Sequence, residues 1–427
     1  MPFSILFSPQ KHTYNAMNNK NIPQVHNFVV HKVVNFRIKV VSLQTKRLFF
    51  DMKKRAFIYG VAVDGNNFTD RVAETRRLKN DFENGQNVIL ISNRRIGKTS
   101  LVKHVCSQVD TDLINVVNMD IYDCRSEYDF YNKFATSILK QTAQKSDMIL
   151  QNIKDFLVRL SPKISFSPDV SNEISLSLGI TPKEYSAEEI LQLPELIAQK
   201  NGKRIVVCID EFQQIGEFAD SITIQKKMRG IWQLQKHVSY CLFGSKKHLL
   251  LNLFQNKRMP FYQFGDTIFL STIPTADWIP FIKNKFAEKQ ISISDLLIEQ
   301  LCNIVCNHSS YVQQLAWNVM LNAEKEVTEE TLDEALNDML NQNSAMFYQQ
   351  TEGLSGYQIN FIKALIGGVE KDFTSQKVLS EYNLGTKSNI ARIVTLLTNK
   401  ELIEKTTNGK IVFSDPLFPL WFKREFC

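Results

Sequence analysis

Apolar runs recur along the chain at Val88–Ile91, Leu113–Met119, Ile205–Ile209, Tyr240–Phe243 and Thr267–Leu270. Such short runs bounded by polar turns predict buried strands. Stretches with helical spacing lie between them, notably Glu127–Lys140 and Ile222–Lys236, and another through Leu78 and Phe82 precedes the first strand. Strands alternating with helices predict an α/β domain on a parallel sheet. From Thr275 onward only helical spacing remains, over Asp277–Lys289, Ser294–Val305, Tyr311–Ala323 and Thr328–Gln342, with Trp278, Phe281, Ile282 and Phe286 as a core stripe. The last segment has the rhythm of a winged helix. Helices are expected over Gln358–Ile366, near Gln376–Tyr382 and over Ser388–Asn399, then a hairpin turning at Asn408 and Gly409. Ser388 is the expected N-cap of the third helix, with Ile390, Ile393, Val394, Leu396 and Leu397 turned inward.

The chemistry sits where the first strand meets its helix. After Val88–Ile91 the chain reads Ser92, Asn93, Arg94, Arg95, Ile96, Gly97, Lys98, Thr99 and Ser100, and a helix continues through Leu101, Val102 and Val105. A strand, a loop ending in Gly-Lys-Thr and a helix form the context of a Walker A phosphate loop. Successive main-chain amides and a helix N-terminus hold phosphate charge without rearranging. Gly97 lets the backbone approach, Lys98 suits the β- and γ-phosphates, and the Thr99 hydroxyl suits Mg²⁺. The pattern wants glycine first; Ser92 opens the turn here. Arg94 and Arg95 add positive charge near the phosphates or are solvated.

A second apolar strand, Ile205–Ile209, ends in Asp210 and Glu211. Adjacent acids at a strand end point in different directions. Asp210 suits the Mg²⁺ shell, and Glu211 suits polarising the water that attacks the γ-phosphate. The strand Tyr240–Phe243 ends in Gly244 and Ser245, which place Ser245 near that water or form a plain strand-to-loop turn. His308, at a helix start, is expected to be structural or capping, with a nucleotide contact as the other reading.

Composition narrows the class without adding chemistry. At 427 residues the chain exceeds one ordinary core, and 44% apolar with 22% charged residues is globular composition. No apolar stretch has the length of a membrane span, and a cytoplasmic location is expected. The net charge of +7 looks like a nucleic-acid signal, but the first 51 residues hold seven of the 51 Lys/Arg and one of the 44 Asp/Glu, so they carry +6 of it. The composition changes at Met52; residues 1–51 are expected to be a disordered or artefactual extension, with translation starting at Met52. The seven cysteines show no Cys-x-x-Cys pair and are expected to be reduced thiols. Residues 161–183, rich in Ser and Pro, are expected to be an inserted hairpin or loop.

Taken together, Phe57, Tyr59 and Gly60; Phe68, Asp70, Arg71 and Glu74; Arg94 to Leu101; Asp210 to Gln213; Pro260 to Tyr262; Tyr311 to Leu315; and Asp415, Pro416, Phe418 and Trp421 resemble the archaeal-type ATPase family. This is a branch of P-loop ATPases close to AAA+ and STAND proteins. The resemblance covers Met52 to the C-terminus. It implies an AAA+-like P-loop NTPase domain of the ASCE type over 52–272, a helical lid over 273–350 and a winged helix over 351–427, with ATP and Mg²⁺ as ligands. It also implies that Phe68 to Arg71 border the base and that Tyr311 to Gln314 lie where the lid nears the nucleotide.

The leading expectation is Mg²⁺-dependent ATP binding and hydrolysis driving a conformational switch. One alternative is ATP-controlled DNA binding through the winged helix, although residues 355–427 hold ten basic and seven acidic residues, a mild balance for a DNA reader. Another is a signalling or defence scaffold, with a protein partner or ATP-dependent homo-oligomerisation. No membrane partner is expected.

Overall fold

A run of apolar residues without polar alternation makes a strand only if both its faces are covered, and Val88–Ile91 is buried at every position. The computed structural model describes residues 55–142 and 187–427, Thr407 excepted. The expected extension over 1–51 and the Ser/Pro-rich segment over 161–183 lie outside the described residues. In chain order, α1 (Val72–Glu83) leads into β1 (Val88–Ile91) and α2 (Lys98–Cys106). Next come β2 (Ile114–Asp120), α3 (Glu127–Thr142), α4 (Ala187–Asn201), β3 (Arg204–Asp210) and α5 (Ser221–Trp232). β4 (Val238–Gly244), α6 (Lys247–Gln255) and β5 (Asp266–Phe269) complete the α/β part.

The five strands are parallel, in the order β2-β3-β4-β1-β5. Alternate residues of each strand feed opposite layers. Val88, Leu90, Val206, Cys208, Cys241 and Phe243 pack against Leu78 and Phe82 of α1 and Leu101 and Val105 of α2. Ile89, Ile91, Ile205, Val207, Tyr240 and Leu242 pack with Phe130 and Phe134 of α3, Trp232 of α5 and Leu250 of α6. The order matters for function because β4 lies between β1 and β3. The loops following all three strands therefore open on one edge of the sheet, the usual place for ligands in open α/β sheets.

Helices α7 (Thr275–Ala287), α8 (Asp295–Ile304), α9 (Ser309–Asn322) and α10 (Glu329–Thr351) follow, and then the winged helix. It comprises α11 (Gly356–Ile366), α12 (Gln376–Glu381), α13 (Lys387–Asn399), the antiparallel hairpin β6 (Ile403–Lys405) and β7 (Ile411–Phe413), and α14 (Leu417–Phe426). One continuous core joins these helices from Ala56 and Phe57 to Phe422. Phe57 meets Phe281 and Phe286 with ring centroids 6.2 and 5.8 Å apart, so the stretch ahead of the sheet packs on the lid helices. α10 serves both parts: Phe347 near its end packs on Phe418 and Trp421 of α14, and Trp421 Nε1 donates to Ser344 Oγ at 2.9 Å. The division expected at residue 350 thus falls at the end of a helix whose last turns already belong to the winged-helix core.

Two local expectations are corrected, and one cysteine pair is placed. The N-cap of α13 is Thr386, not Ser388, whose hydroxyl pairs with Thr386 Oγ1 at 2.9 Å inside the first turn. Leu396 is only partly buried and shares a groove with Arg392, because the inward stripe runs through Ile390, Ile393 and Leu397. Cys306 lies beyond the end of α8 in a left-handed conformation (φ 50°), while Cys302 is buried inside it.

Candidate functional site

The phosphate-loop residues form the turn between β1 and α2. Gly97 (φ 102°) immediately precedes α2, in a left-handed conformation that costs a glycine little. Arg95 adopts φ 58° and Ser92 is absent from the left-handed set, so a side chain at the first position of the motif carries no backbone penalty. Burial of the Ser92 side chain explains what it does instead. Its hydroxyl donates to Asn93 O at 2.8 Å and accepts from Lys98 Nζ at 3.3 Å. Lys98 also donates to Asn93 O at 2.9 Å. Its ammonium is thereby folded into the loop, and burial, only partly opposed by Asp210 and Glu211, lowers its pKa to about 8.

Across β4, Asp210 ends β3. Thr99 Oγ1 donates to Asp210 Oδ2 at 2.8 Å, which brings the two halves of the predicted site together. Burial outweighs this bond and raises the Asp210 pKa to about 6. Glu211 follows in a left-handed conformation (φ 55°), which turns its carboxylate toward the end of β4. There Ser245 Oγ donates to Glu211 Oε2 at 2.9 Å, its amide reaches the same oxygen at 3.3 Å, and Gln213 Nε2 donates to it as well. Gly244 is required by this approach: a Cβ there would overlap the Gln213 side-chain oxygen and lie 3.1 Å from Glu211 Cα.

These groups open into a cleft of about 860 Å³, large enough for a nucleotide. Arg94, Arg95, Ile96, Gly97, Lys98, Thr99 and Ser100 line it, together with Asp210, Glu211, Ser245 and Arg71. Arg71 is buried, donates to Ile96 O at 3.1 Å and pairs with Glu74 at 3.2 Å, and burial lowers its pKa. It braces the loop through Ile96. Phe68 lines the same cleft and stacks on His104 at 4.0 Å.

The structure corrects the expectation that Tyr311 touches the nucleotide. Its ring is buried, its hydroxyl donates to Asp415 Oδ2 at 2.5 Å, and its neighbours Ser309, Ser310, Gln313 and Gln314 line the cleft instead. Ser92 and Asn93 are likewise outside the lining, and Asn93 Nδ2 donates to Glu404 Oε1 at 3.2 Å. His308 is structural: its buried Nε2 donates to Arg94 O at 3.0 Å, and burial lowers its pKa. Ser310 N donates to Arg95 O at 3.3 Å and Ser309 Oγ to Ile96 O at 3.2 Å, so α9 fastens three successive loop carbonyls. Sequence reasoning missed Asp120 and Tyr122, which enter the cleft from the end of β2, and Gln213. Asp120 could have been found as the acid closing the second strand, in register with Asp210.

A bound metal can be tested against the donors. Among the described residues no cluster of three or more His, Cys, Asp or Glu could hold a metal ion. Mg²⁺, however, takes one or two protein oxygens and completes its shell with water and substrate phosphate. A threonine hydroxyl and a desolvated carboxylate that already meet at the loop fit that ion.

The fold is a five-stranded parallel α/β sheet carrying a phosphate-type loop, followed by a helical part and a C-terminal winged helix. Residues 345–424 match the family model described as "Probable winged helix domain". The chain is similar in structure to the Walker-type ATPase of Pyrococcus abyssi (TM-score 0.62, 14% identity, 86% of this chain and 100% of that one). It is similar also to the ORC2 protein of Aeropyrum pernix in its ADPNP–ADP complexes (TM-score 0.54, 12% identity, 87% of this chain and 96% of that one). At such identity the likeness is one of fold. No curated protein sequence matches the chain. Among the described residues no helix is long and apolar enough to cross a membrane.

Proposed function

We propose that this protein binds ATP with Mg²⁺ in the cleft and hydrolyses it, using the nucleotide to switch the lid and winged helix relative to the sheet. The observation that carries this reading is the Thr99–Asp210 hydrogen bond at 2.8 Å, with Glu211 held beside it on the same edge of the sheet. In this reading the main chain of residues 94–100 receives the phosphates, and Lys98 leaves Asn93 O to pair with them. Thr99 and Asp210 hold Mg²⁺, which when bound neutralises phosphate charge. Glu211 orients and deprotonates the attacking water, and Ser245 positions Glu211. The assignment divides the chain into an ATPase part over 52–272, a lid over 273–350 and a winged helix over 351–427.

Phosphate release from ATP with Mg²⁺ tests it, with Lys98→Ala and Glu211→Gln as controls. Lys98→Ala should abolish binding. Glu211→Gln should keep binding and lose about 10²–10⁴ in turnover. Full turnover in Glu211→Gln would remove the general-base assignment.

A second reading, ATP-controlled DNA binding, is favoured by the exposed face of α13. There Ser388, Arg392, Thr395, Asn399 and Lys400 border a shallow groove. Duplex binding that weakens with salt and with Arg392→Ala would support it; salt-independent or absent binding would exclude it.

A further inference from the structure

The hairpin end of the winged helix rests on the phosphate loop, far from it in sequence. Asn93 Nδ2 donates to Glu404 Oε1 at 3.2 Å, and Arg94 pairs with Glu401 at 3.2 Å. Lys247, two residues after Ser245, reaches the other Glu404 oxygen at 3.5 Å. Two carboxylates three residues apart thus engage loop residues and the start of α6 together. The same Asn93 accepts the Lys98 ammonium on its carbonyl, so wing, loop and phosphate-binding lysine form one chain of contacts.

We propose that Glu401 and Glu404 are an electrostatic latch: they occupy cations beside the phosphate loop in competition with the phosphates of the nucleotide, so nucleotide binding and wing docking oppose each other. The proposal rests on the nucleotide reading above and adds its regulation. The polyphosphate of ATP brings negative charge to a loop already faced by two carboxylates. It is repelled by Glu401 and Glu404 and attracted to the Arg94 and Lys247 charges that they neutralise. Whatever factor the docked wing takes from nucleotide affinity, the nucleotide takes from wing docking. The ion pairs are part-exposed, with Arg94 53% and Glu401 33% accessible. Pairs of this kind are weak, so the expected coupling is about three- to ten-fold and not thousands. The Tyr311–Asp415 bond, which lies beside Arg95 of the loop, involves neither Glu401 nor Glu404 and keeps the winged helix tethered when the wing lets go.

The test uses the full chain, with Glu401→Gln and Glu404→Gln singly and together. Calorimetry measures binding of magnesium ATP at low and moderate salt, and amide hydrogen exchange follows residues 91–97 and 399–414 with and without it. The double variant should bind about three- to ten-fold tighter than wild type, by an amount that shrinks with salt. Exchange over 399–414 should rise in wild type when ATP is added and should already be raised in the nucleotide-free double variant. Equal or weaker binding in a double variant with wild-type thermal stability overturns the latch and leaves the nucleotide reading intact. If wild type and variants all fail to bind magnesium ATP, the nucleotide reading falls and the competition with it. Should the double variant not fold, Glu404→Gln alone is judged by the same outcomes.

Discussion

Thr99, in the first turn of α2, and Asp210, at the end of β3, share a 2.8 Å hydrogen bond across the end of β4. The bond exists because parallel strands end at one edge and because β3 continues one residue further than its last fully buried position, Ile209. It places a hydroxyl and a carboxylate where a divalent cation would find both. It also leaves Asp210 largely desolvated.

That desolvation has a stability consequence with a definite sign. The Asp210 pKa is raised from 3.8 to about 6 in the folded protein. Between these values the native state holds more protons than the unfolded chain, so stability falls as pH rises, and the cost is complete above about pH 6. Asp210→Asn removes it. In chelator at pH 7.5 the variant should be more stable by about 2 kcal/mol, a figure lowered from the full shift for residual solvent contact. Near pH 4 the gain should shrink toward zero. Denaturant titrations at both pH values measure this; an unchanged or reduced stability at pH 7.5 refutes it. Such a gain accompanied by lost turnover would be the usual trade between stability and function at a site.

His308 carries the opposite dependence. Burial lowers its pKa below 6.5, and its Nε2–H is committed to Arg94 O while Nδ1 has no partner. Its stabilising effect is fully present above about pH 6.5 and is lost as the pH falls from there through the lower folded value. The unfolded chain takes up a proton that the native ring resists, Asp415 favouring and Arg95 opposing its uptake. Wild type should therefore lose up to about 1.4 kcal/mol per pH unit in that window from this one group. His308→Gln, whose amide can still donate to Arg94 O, should flatten that part of the profile. Parallel profiles for the two proteins would show that His308 does not titrate on unfolding.

The strands and the loop were legible because their physics is local. Val88–Ile91, Ile205–Ile209 and Tyr240–Phe243 are apolar on both faces, and only a central parallel strand needs that. Glycine and lysine before a helix need no distant partner to be recognised. What was not legible depends on long-range contacts. Gln342, Asn343 and Ser344 give no reason for α10 to continue past them; the helix is sustained to Thr351 by Phe347 docking on α14. The resemblance puts Tyr311 to Gln314 near the nucleotide as one stretch; only the contacts distinguish Tyr311, whose hydroxyl bonds Asp415, from Gln313 and Gln314, which line the cleft. The contact of Glu404 with Asn93 joins residues 311 positions apart, and each alone looks like solvated surface.

Gly244 offers a steric test of the catalytic geometry. Its backbone is not left-handed, so alanine is conformationally acceptable, but a methyl group there would overlap Gln213 and crowd Glu211. Gly244→Ala should cost about 1–3 kcal/mol of stability, the usual price of overpacking. Its turnover should fall by more than its ATP affinity, because the displaced groups are Gln213 and Glu211 and not the phosphate loop. Thermal melts with paired binding and turnover measurements check both. An equal loss in binding and turnover would place the disturbance in the loop.

Ser245 is the more selective probe of the same carboxylate. Three donors converge on Glu211 Oε2: the Ser245 hydroxyl, the Ser245 amide and the Gln213 side chain. Removing the hydroxyl leaves the other two, so Glu211 stays near its place but loses one of its three restraints. A general base must sit within hydrogen-bond reach of the water it serves, and loosening it costs rate without costing substrate binding. Ser245→Ala should thus lower kcat by about ten-fold with KM nearly unchanged, a smaller loss than Glu211→Gln, and Ser245→Thr should recover most of it. If Ser245→Ala lost as much as Glu211→Gln, the hydroxyl would have to touch substrate itself. If it lost nothing, the orientation of Glu211 would be set by the Ser245 amide, Gln213 and the left-handed turn at Glu211 without the hydroxyl.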